Sequence, residues 1–111
     1  MMNIAKRSFE LVENSGGHAI GGTVITFDRD KEPCRATYQG PNVKFGHALM
    51  EKCDGEARML YHALTDNGQL VAGEAQVSFF EADDGSIEMH LRWRWLTGDK
   101  SGGISKWREV L

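Results

Sequence analysis

The stretch 87–95, IEMHLRWRW, decides the fold class, because its apolar and polar residues alternate without a break. Successive side chains of a β-strand point to opposite faces of the sheet, so a period of two is typical of a strand with one buried face. The apolar set consists of Ile87, Met89, Leu91, Trp93 and Trp95. The stretch therefore predicts a half-buried strand of an antiparallel sheet.

Further segments of strand length precede and follow this stretch, and residues typical of turns separate them. Asp54-Gly55, Asn67-Gly68 and Asp84-Gly85 are strong hairpin signals, because a tight primed turn needs positive φ at its central residues. The segment 46–53, GHALMEKC, contains good helix formers and is the best alternative position for a helix. It is short and lies between turns, so a strand is favoured. The predicted strands are 7–13, 22–28, 34–39, 43–52, 56–64, 69–81, 86–96 and 103–111.

Strands joined in sequence by short turns form an antiparallel meander, and closing the sheet into a barrel hides its two edges. We therefore predict an all-β fold: a single domain over 1–111 that forms an eight-stranded antiparallel barrel of the lipocalin or streptavidin (calycin-like) type. A barrel of this size has an interior that side chains can fill or that can hold one small ligand. The sequence also repeats a local pattern, since Tyr38 precedes GHALMEKCDG and Tyr61 precedes GEAQVSFFEADDG. We interpret this pattern as a recurring feature of hairpins.

Composition and charge argue against several classes of partner. The 111 residues carry a formal net charge of −3, with Lys and Arg spread along the chain, so the basic surface that a nucleic acid needs is not expected. A run of 18 apolar residues is absent, and the first residues lack the apolar stretch of a signal peptide. Cys34 and Cys53 match no zinc or redox spacing. We expect a cytoplasmic protein with free thiols, with no membrane or nucleic-acid partner, although the sequence leaves a disulfide open.

A set of short motifs carries a family resemblance. Gly46-His47, Tyr61-His62, Asn67-Gly68-Gln69-Leu70 with Gly73, and Trp93-x-Trp95-x-x-Gly98-Asp99-Lys100-Ser101 occur in this order. From about Thr23 onward, the chain resembles a group of small bacterial proteins that carry the name N-acetylglutamate synthase. The resemblance implies acyl transfer from acetyl-CoA. The chain departs from that pattern at Ala63 and Leu91, where family members often carry Gln and Glu.

The residues themselves show no catalytic machinery. The Gly-rich turn that opens a helix and binds a pyrophosphate is absent, and the nearest Gly-rich run, 15–22, leads into a strand pattern. TGDKSGG (97–103) resembles the end of a phosphate-binding loop, but it lacks the first Gly and the following helix. No close-spaced metal ligands occur among the four histidines, and a metal site would have to be assembled from separate strands. We therefore predict no catalytic residues, metal or cofactor.

The candidate ligand-binding residues come from the tryptophans, the loop after them and the histidine motifs. Each has a structural alternative: the tryptophans as core, the loop as a hairpin turn, and the histidines as surface residues. The predicted site at the barrel mouth consists of His47, Tyr61, His62, Trp93, Trp95, Asp99, Lys100 and Ser101. In it, Asp99 and Lys100 would orient a polar ligand.

Three hypotheses for function follow. The first is a protein that binds a small polar or amphipathic molecule at the barrel mouth. The second is an acyltransferase, with His62 or His47 as general base. The third is an interaction module that forms a homodimer through an exposed sheet face.

Overall fold

The computed structural model shows a closed barrel of eight antiparallel strands, in which each strand pairs with the next and the last returns to the first. It describes residues 4–16, 21–29, 34–53 and 56–111. These residues contain no α-helix, and the segment 46–53 lies inside a strand. The predicted all-β meander barrel is confirmed. Its strands are β1 (Ser8–Asn14), β2 (Val24–Arg29), β3 (Cys34–Gly40), β4 (Val43–Cys53), β5 (Glu56–Thr65), β6 (Leu70–Glu81), β7 (Ile87–Trp95) and β8 (Gly102–Val110).

The alternation that predicts β7 matches the direction of its side chains. Ile87, Met89, Leu91 and Trp93 are buried, Trp95 is half-buried, and the polar residues between them lie on the outer face. The predicted turns at Asn67-Gly68 and Asp84-Gly85 have a glycine with φ of 86° in each case, which a residue with a Cβ adopts only with strain. The Asp54-Gly55 turn lies outside the described residues. The described residues contain no helix long and apolar enough to cross a membrane.

Aromatic side chains close one end of the barrel, where β1 and β7 begin. Phe9 and Phe27 are fully buried and meet edge to face with ring centres 5.9 Å apart, and Phe79 packs against both. The buried carboxylate of Glu109 accepts hydrogen bonds from the Ile87 N–H at 2.9 Å and from Arg7. The ion pair with Arg7 links β8 to the segment before β1, and the hydrogen bond from Ile87 links β8 to β7, so polar contacts join neighbouring strands at the closed end.

In three of the hairpins, an aromatic ring on one strand lies over a glycine on the next. The pairs are Tyr38 with Gly46, Tyr61 with Gly73, and Trp93 with Gly103, and each pair is directly opposite in register. A Cβ placed at any of these glycines would lie within 2.2–2.7 Å of the facing ring. The recurring Tyr…Gly pattern of the sequence is thus a packing rule, because the glycines give the rings room inside the barrel.

Candidate functional site

A partly open cavity of about 60 Å³ lies at the other end of the barrel, where β1, β3, β5 and β7 end. Its residues come from most of the barrel strands, so its shape depends on closure of the whole sheet. Most of its lining is apolar or aromatic. The lining residues are Asn14, Gly16, Ile25, Tyr38, Val43, Met59, Tyr61, Ala63, Thr65, Val71, Leu91, Trp93, Trp95, Ser105 and Trp107.

Two tryptophans and a tyrosine form a continuous aromatic wall of the cavity. The ring centres of Trp93 and Trp95 are 6.0 Å apart, and the Trp95 ring meets Tyr61 edge to face at 5.4 Å. Trp93 is 7% exposed, and its indole N–H donates to Asn14 Oδ1 at 3.1 Å. Trp95 is half-buried at the opening. The two tryptophans therefore differ in role. Trp93 belongs to both the core and the cavity, whereas Trp95 is mainly part of the cavity rim.

The polar groups around the cavity are mostly occupied within the protein. Trp107 donates its indole N–H to Ser105 Oγ at 2.9 Å. The Tyr38 hydroxyl donates to the His62 carbonyl at 3.4 Å, which is a long hydrogen bond. The Tyr61 hydroxyl, in contrast, has no hydrogen-bond partner among the described residues. It is therefore a polar group of the cavity wall to which no described residue is hydrogen-bonded.

Burial sets the protonation state of both tyrosines. It raises the pKa of Tyr38 and of Tyr61 well above the ordinary value of 10, and the negative charge of Glu74 raises that of Tyr61 further. At neutral pH the Tyr61 hydroxyl is consequently a hydrogen-bond donor with its proton in place.

These two residues are the only tyrosines in the chain, so tyrosine absorbance reports on the cavity directly. We expect no phenolate absorbance near 295 nm as the folded protein passes pH 10, whereas the protein unfolded in urea titrates there. Because both folded pKa values are raised, the stability that this provides is complete below pH 10 and falls as the pH rises toward the folded values. Phenolate formation near pH 10 without loss of the far-ultraviolet circular dichroism signal would contradict the buried placement.

The loop 96–101 lies at the same end of the barrel as the cavity, but its polar residues point elsewhere. Asp99 Oδ1 accepts the Ser101 N–H at 3.0 Å, and Lys100 has φ of 56°, as in a tight turn. The Trp95 N–H donates to the Ser101 carbonyl at 2.8 Å, which closes the hairpin. None of the three predicted loop residues, Asp99, Lys100 and Ser101, lines the cavity. The loop has the geometry of the hairpin-turn alternative, and a role in ligand binding stays a prediction.

The two histidines of the predicted site lie on the outer face of the barrel and not at the cavity. His47 alternates with buried Gly46 and Ala48, and His62 alternates with buried Tyr61 and Ala63. Neighbouring residues of a strand face opposite sides, so Tyr61 and His62 cannot both point inward. Tyr61, Trp93 and Trp95 therefore come together in the cavity, whereas His47 and His62 face each other outside it.

The sequence pattern does not predict several of the residues that line the cavity. Asn14, Ser105 and Thr65 are polar side chains that point inward, where the alternation predicts apolar ones. The sequence feature that identifies these residues is their position, because each occupies an inward-facing position close to the end of a strand. The Gly-rich run 15–22 adjoins the cavity at Gly16, and His18 lies outside the described residues.

Comparison with known proteins gives one result. The family model described as "Avidin-like protein" matches residues 2–110. Neither the curated proteins nor the solved structures give a match. The family match covers nearly the whole chain and agrees with the closed eight-stranded barrel and its end cavity. The chain belongs to the avidin-like protein family.

Proposed function

We propose that the protein binds a small amphipathic molecule at the open end of its barrel. The observation that carries the proposal is the partly open cavity between Tyr61, Trp93 and Trp95, with the Tyr61 hydroxyl unpaired among the described residues. A concave apolar pocket with a few polar groups is the usual form of a small-molecule site. Avidin-like proteins bind small molecules such as biotin, and this likeness supports the proposal.

The cavity volume limits what can enter. A water needs about 10–15 Å³ of such space, and an apolar cavity of about 150 Å³ takes a benzene ring. The 60 Å³ found here suits the apolar end of a ligand or a few atoms of it. The remainder of the ligand would lie at the mouth, near Val71, Trp95 and the loop 96–101. A larger ligand would have to displace side chains such as Met59 or Tyr61.

Native mass spectrometry of protein purified gently from its host tests the proposal. Val71 lines the rim, whereas its neighbour Leu70 points outward and is 81% exposed, so the two positions form a matched pair. We expect Val71→Phe to narrow the cavity and remove the bound mass, and Leu70→Phe to retain it. Biotin and an anilinonaphthalene sulfonate dye are the probes to add. All three tryptophans line the cavity, so a ligand should change their fluorescence.

The two variants separate site binding from surface binding. A bound mass or fluorescence change that survives Val71→Phe unchanged would place the ligand outside the cavity. Bare protein that responds to neither probe would overturn the proposal.

A second candidate function, self-association, rests on an apolar patch on the outer face of β4, β5 and the start of β6. Its side chains are between 36% and 81% exposed. Together they expose on the order of several hundred Å² of apolar surface, and patches of that size often mark interfaces. The residues of this outer patch are Phe45, Leu49, Leu60, Leu64 and Leu70.

Charge along the patch suits a second copy of the same chain. Glu51–Arg58 at 2.7 Å and Glu74–Arg94 at 2.5 Å flank it as two ion pairs, so the border carries both signs in equal number. A two-fold axis places the same surface on both partners, and such a border can then exchange ion pairs across the interface.

Sedimentation velocity over a range of concentrations tests the homodimer. We expect Leu60→Lys to shift a dimer to the monomer, because it places a charge in the centre of the outer patch. Val12→Lys on β1 is the control, since Val12 is 44% exposed and Leu60 51%. A native protein that sediments as a monomer at every concentration would contradict self-association.

The acyltransferase activity that the resemblance to N-acetylglutamate synthase implies stays a prediction. Release of the CoA thiol from acetyl-CoA in the presence of glutamate measures it directly.

A further inference from the structure

The two histidines on the outer face form a pair that the ligand cavity does not use. His47 on β4 and His62 on β5 are directly opposite in register, and their ring centres are 5.6 Å apart. His47 is half-buried and His62 exposed, so both imidazoles reach solvent from a rigid sheet. We propose that His47 and His62 together bind a divalent late transition metal ion, with water in the remaining coordination positions.

The separation of the rings fits a shared metal. With metal–nitrogen bonds of about 2.0–2.1 Å, each ring centre lies roughly 3.2 Å from the ion, and two rings at a tetrahedral angle are roughly 5.2 Å apart. The observed 5.6 Å differs by a few tenths of an ångström, which rotation of the side chains can supply without moving the strands. The pairing of β4 and β5 continues over ten residue pairs, so the backbone already holds both ligands in place.

The side chains around the pair are mostly apolar. In register, His47 and His62 are flanked by Thr37 on β3 and Ala72 on β6. Above and below them on the same two strands lie Phe45, Leu49, Leu60 and Leu64, so the outer patch surrounds the pair with apolar side chains. No Lys or Arg occupies these flanking positions to repel a cation. The apolar surroundings limit competition by other polar side chains.

The donor set predicts the class of metal. Imidazole suits Zn²⁺, Ni²⁺ and Cu²⁺, and affinity rises toward Cu²⁺ for a given set of nitrogen ligands. Within the described parts of the chain, no group of three or more His, Cys, Asp and Glu could hold a metal. The site is therefore a two-ligand site, open to water, which suits a tightly held Cu²⁺ or a weaker Zn²⁺.

The experiment uses the full chain without a histidine tag. Binding of Cu²⁺ and Zn²⁺ is measured by isothermal titration calorimetry for the native protein, His47→Asn, His62→Asn and the double variant. His90→Asn is the control, because His90 lies on the outer face of β7 against Phe80 and apart from the pair. All these changes spare the barrel interior, and circular dichroism verifies that each variant folds.

We expect either single variant to weaken binding by at least about tenfold, since loss of a hydrogen bond to a metal ligand alone costs 10–100-fold. His90→Asn should leave the affinity unchanged. The electron paramagnetic resonance spectrum of bound Cu²⁺ should show coupling to two equivalent nitrogens, and the double variant should lose it. One metal per chain would indicate the open site, and one per two chains would indicate that a second copy shares it. Binding that survives in the double variant, or that disappears in His90→Asn, would overturn the proposal.

Failure of this site would leave the ligand cavity untouched. His47 and His62 lie outside the barrel, and the bound mass sought in the cavity is measured without added metal.

Discussion

Replacement of Trp93 by alanine should lower the free energy of unfolding by about 3–5 kcal/mol, the range found when a buried aromatic side chain is truncated. Trp93 is 7% exposed and packs over Gly103 on β8. Its loss would also leave Asn14 Oδ1 without its indole donor and would join the vacated space to the existing cavity. Unfolding by urea, followed by circular dichroism, measures the change.

Trp95→Ala is the matched comparison for this prediction. Trp95 is two residues along the same strand and on the same face, but it is half-buried at the cavity rim. We expect it to cost about 1 kcal/mol, close to an average substitution, and to reduce ligand binding instead. If Trp93→Ala fails to fold, Trp93→Phe keeps most of the packing and loses the hydrogen bond, with an expected cost of about 1 kcal/mol. A loss for Trp93→Ala of only about 1 kcal/mol, as expected for Trp95→Ala, would show that the core does not depend on Trp93.

The fold could be predicted because two independent signals agree over β5, β6 and β7. The period of two marks the strands, and Asn-Gly or Asp-Gly marks the turns. For this reason the predicted boundaries fall close to the observed ones, as in 86–96 against Ile87–Trp95. Closure of the barrel is a long-range pairing between β1 and β8 that no local pattern contains. The general need to hide sheet edges was enough to predict it.

The positions of the candidate site residues are harder to predict than the fold, for reasons that lie in individual positions. The motif Tyr61-His62 places two functional residue types side by side, but a strand sends them to opposite faces. Which of them points inward follows from the register with β4 and β6, where Tyr61 meets Ala48 and Gly73. A resemblance of motifs cannot separate an interior tyrosine from an exterior histidine, whereas alternation with buried Ala63 can.

No pattern in the sequence predicts the volume of the cavity. It is a small difference between the volume that the barrel encloses and the volume of the side chains that fill it. Tyr38, Tyr61 and Met59 occupy space that smaller residues would leave to a ligand. The sequence pattern also does not predict the inward-pointing polar groups of Asn14 and Ser105. The indole that binds Asn14 is distant in sequence, and the indole that binds Ser105 lies on the same face of the same strand.

The aromatic–glycine pairs lead to the second large prediction, which concerns Gly46. A Cβ at this position would lie 2.2 Å from the Tyr38 ring, much closer than real carbon contacts allow. The ring is buried inside the barrel and cannot leave without opening a void, so the clash must shift the backbone. We expect Gly46→Ala to lower the free energy of unfolding by about 1–3 kcal/mol, as overpacking does.

The direction of this effect separates it from the backbone preference of glycine. Where a glycine has ordinary φ and open space, alanine stabilises a protein by about 0.4–1 kcal/mol, chiefly because it restricts the unfolded chain. Gly21 is such a position, since no described residue lies within 4 Å of its added Cβ, and Gly21→Ala is the control. It should be neutral or slightly stabilising.

A double-mutant cycle with Tyr38→Ala identifies the ring as the cause. In the background of Tyr38→Ala the space above Gly46 is vacant, so Gly46→Ala should become neutral or stabilising there. Unfolding by urea of the four proteins gives the coupling between the two positions. If Gly46→Ala costs the same with and without the ring, the strain arises from the backbone of β4, and the packing rule for the three hairpins would have to be abandoned.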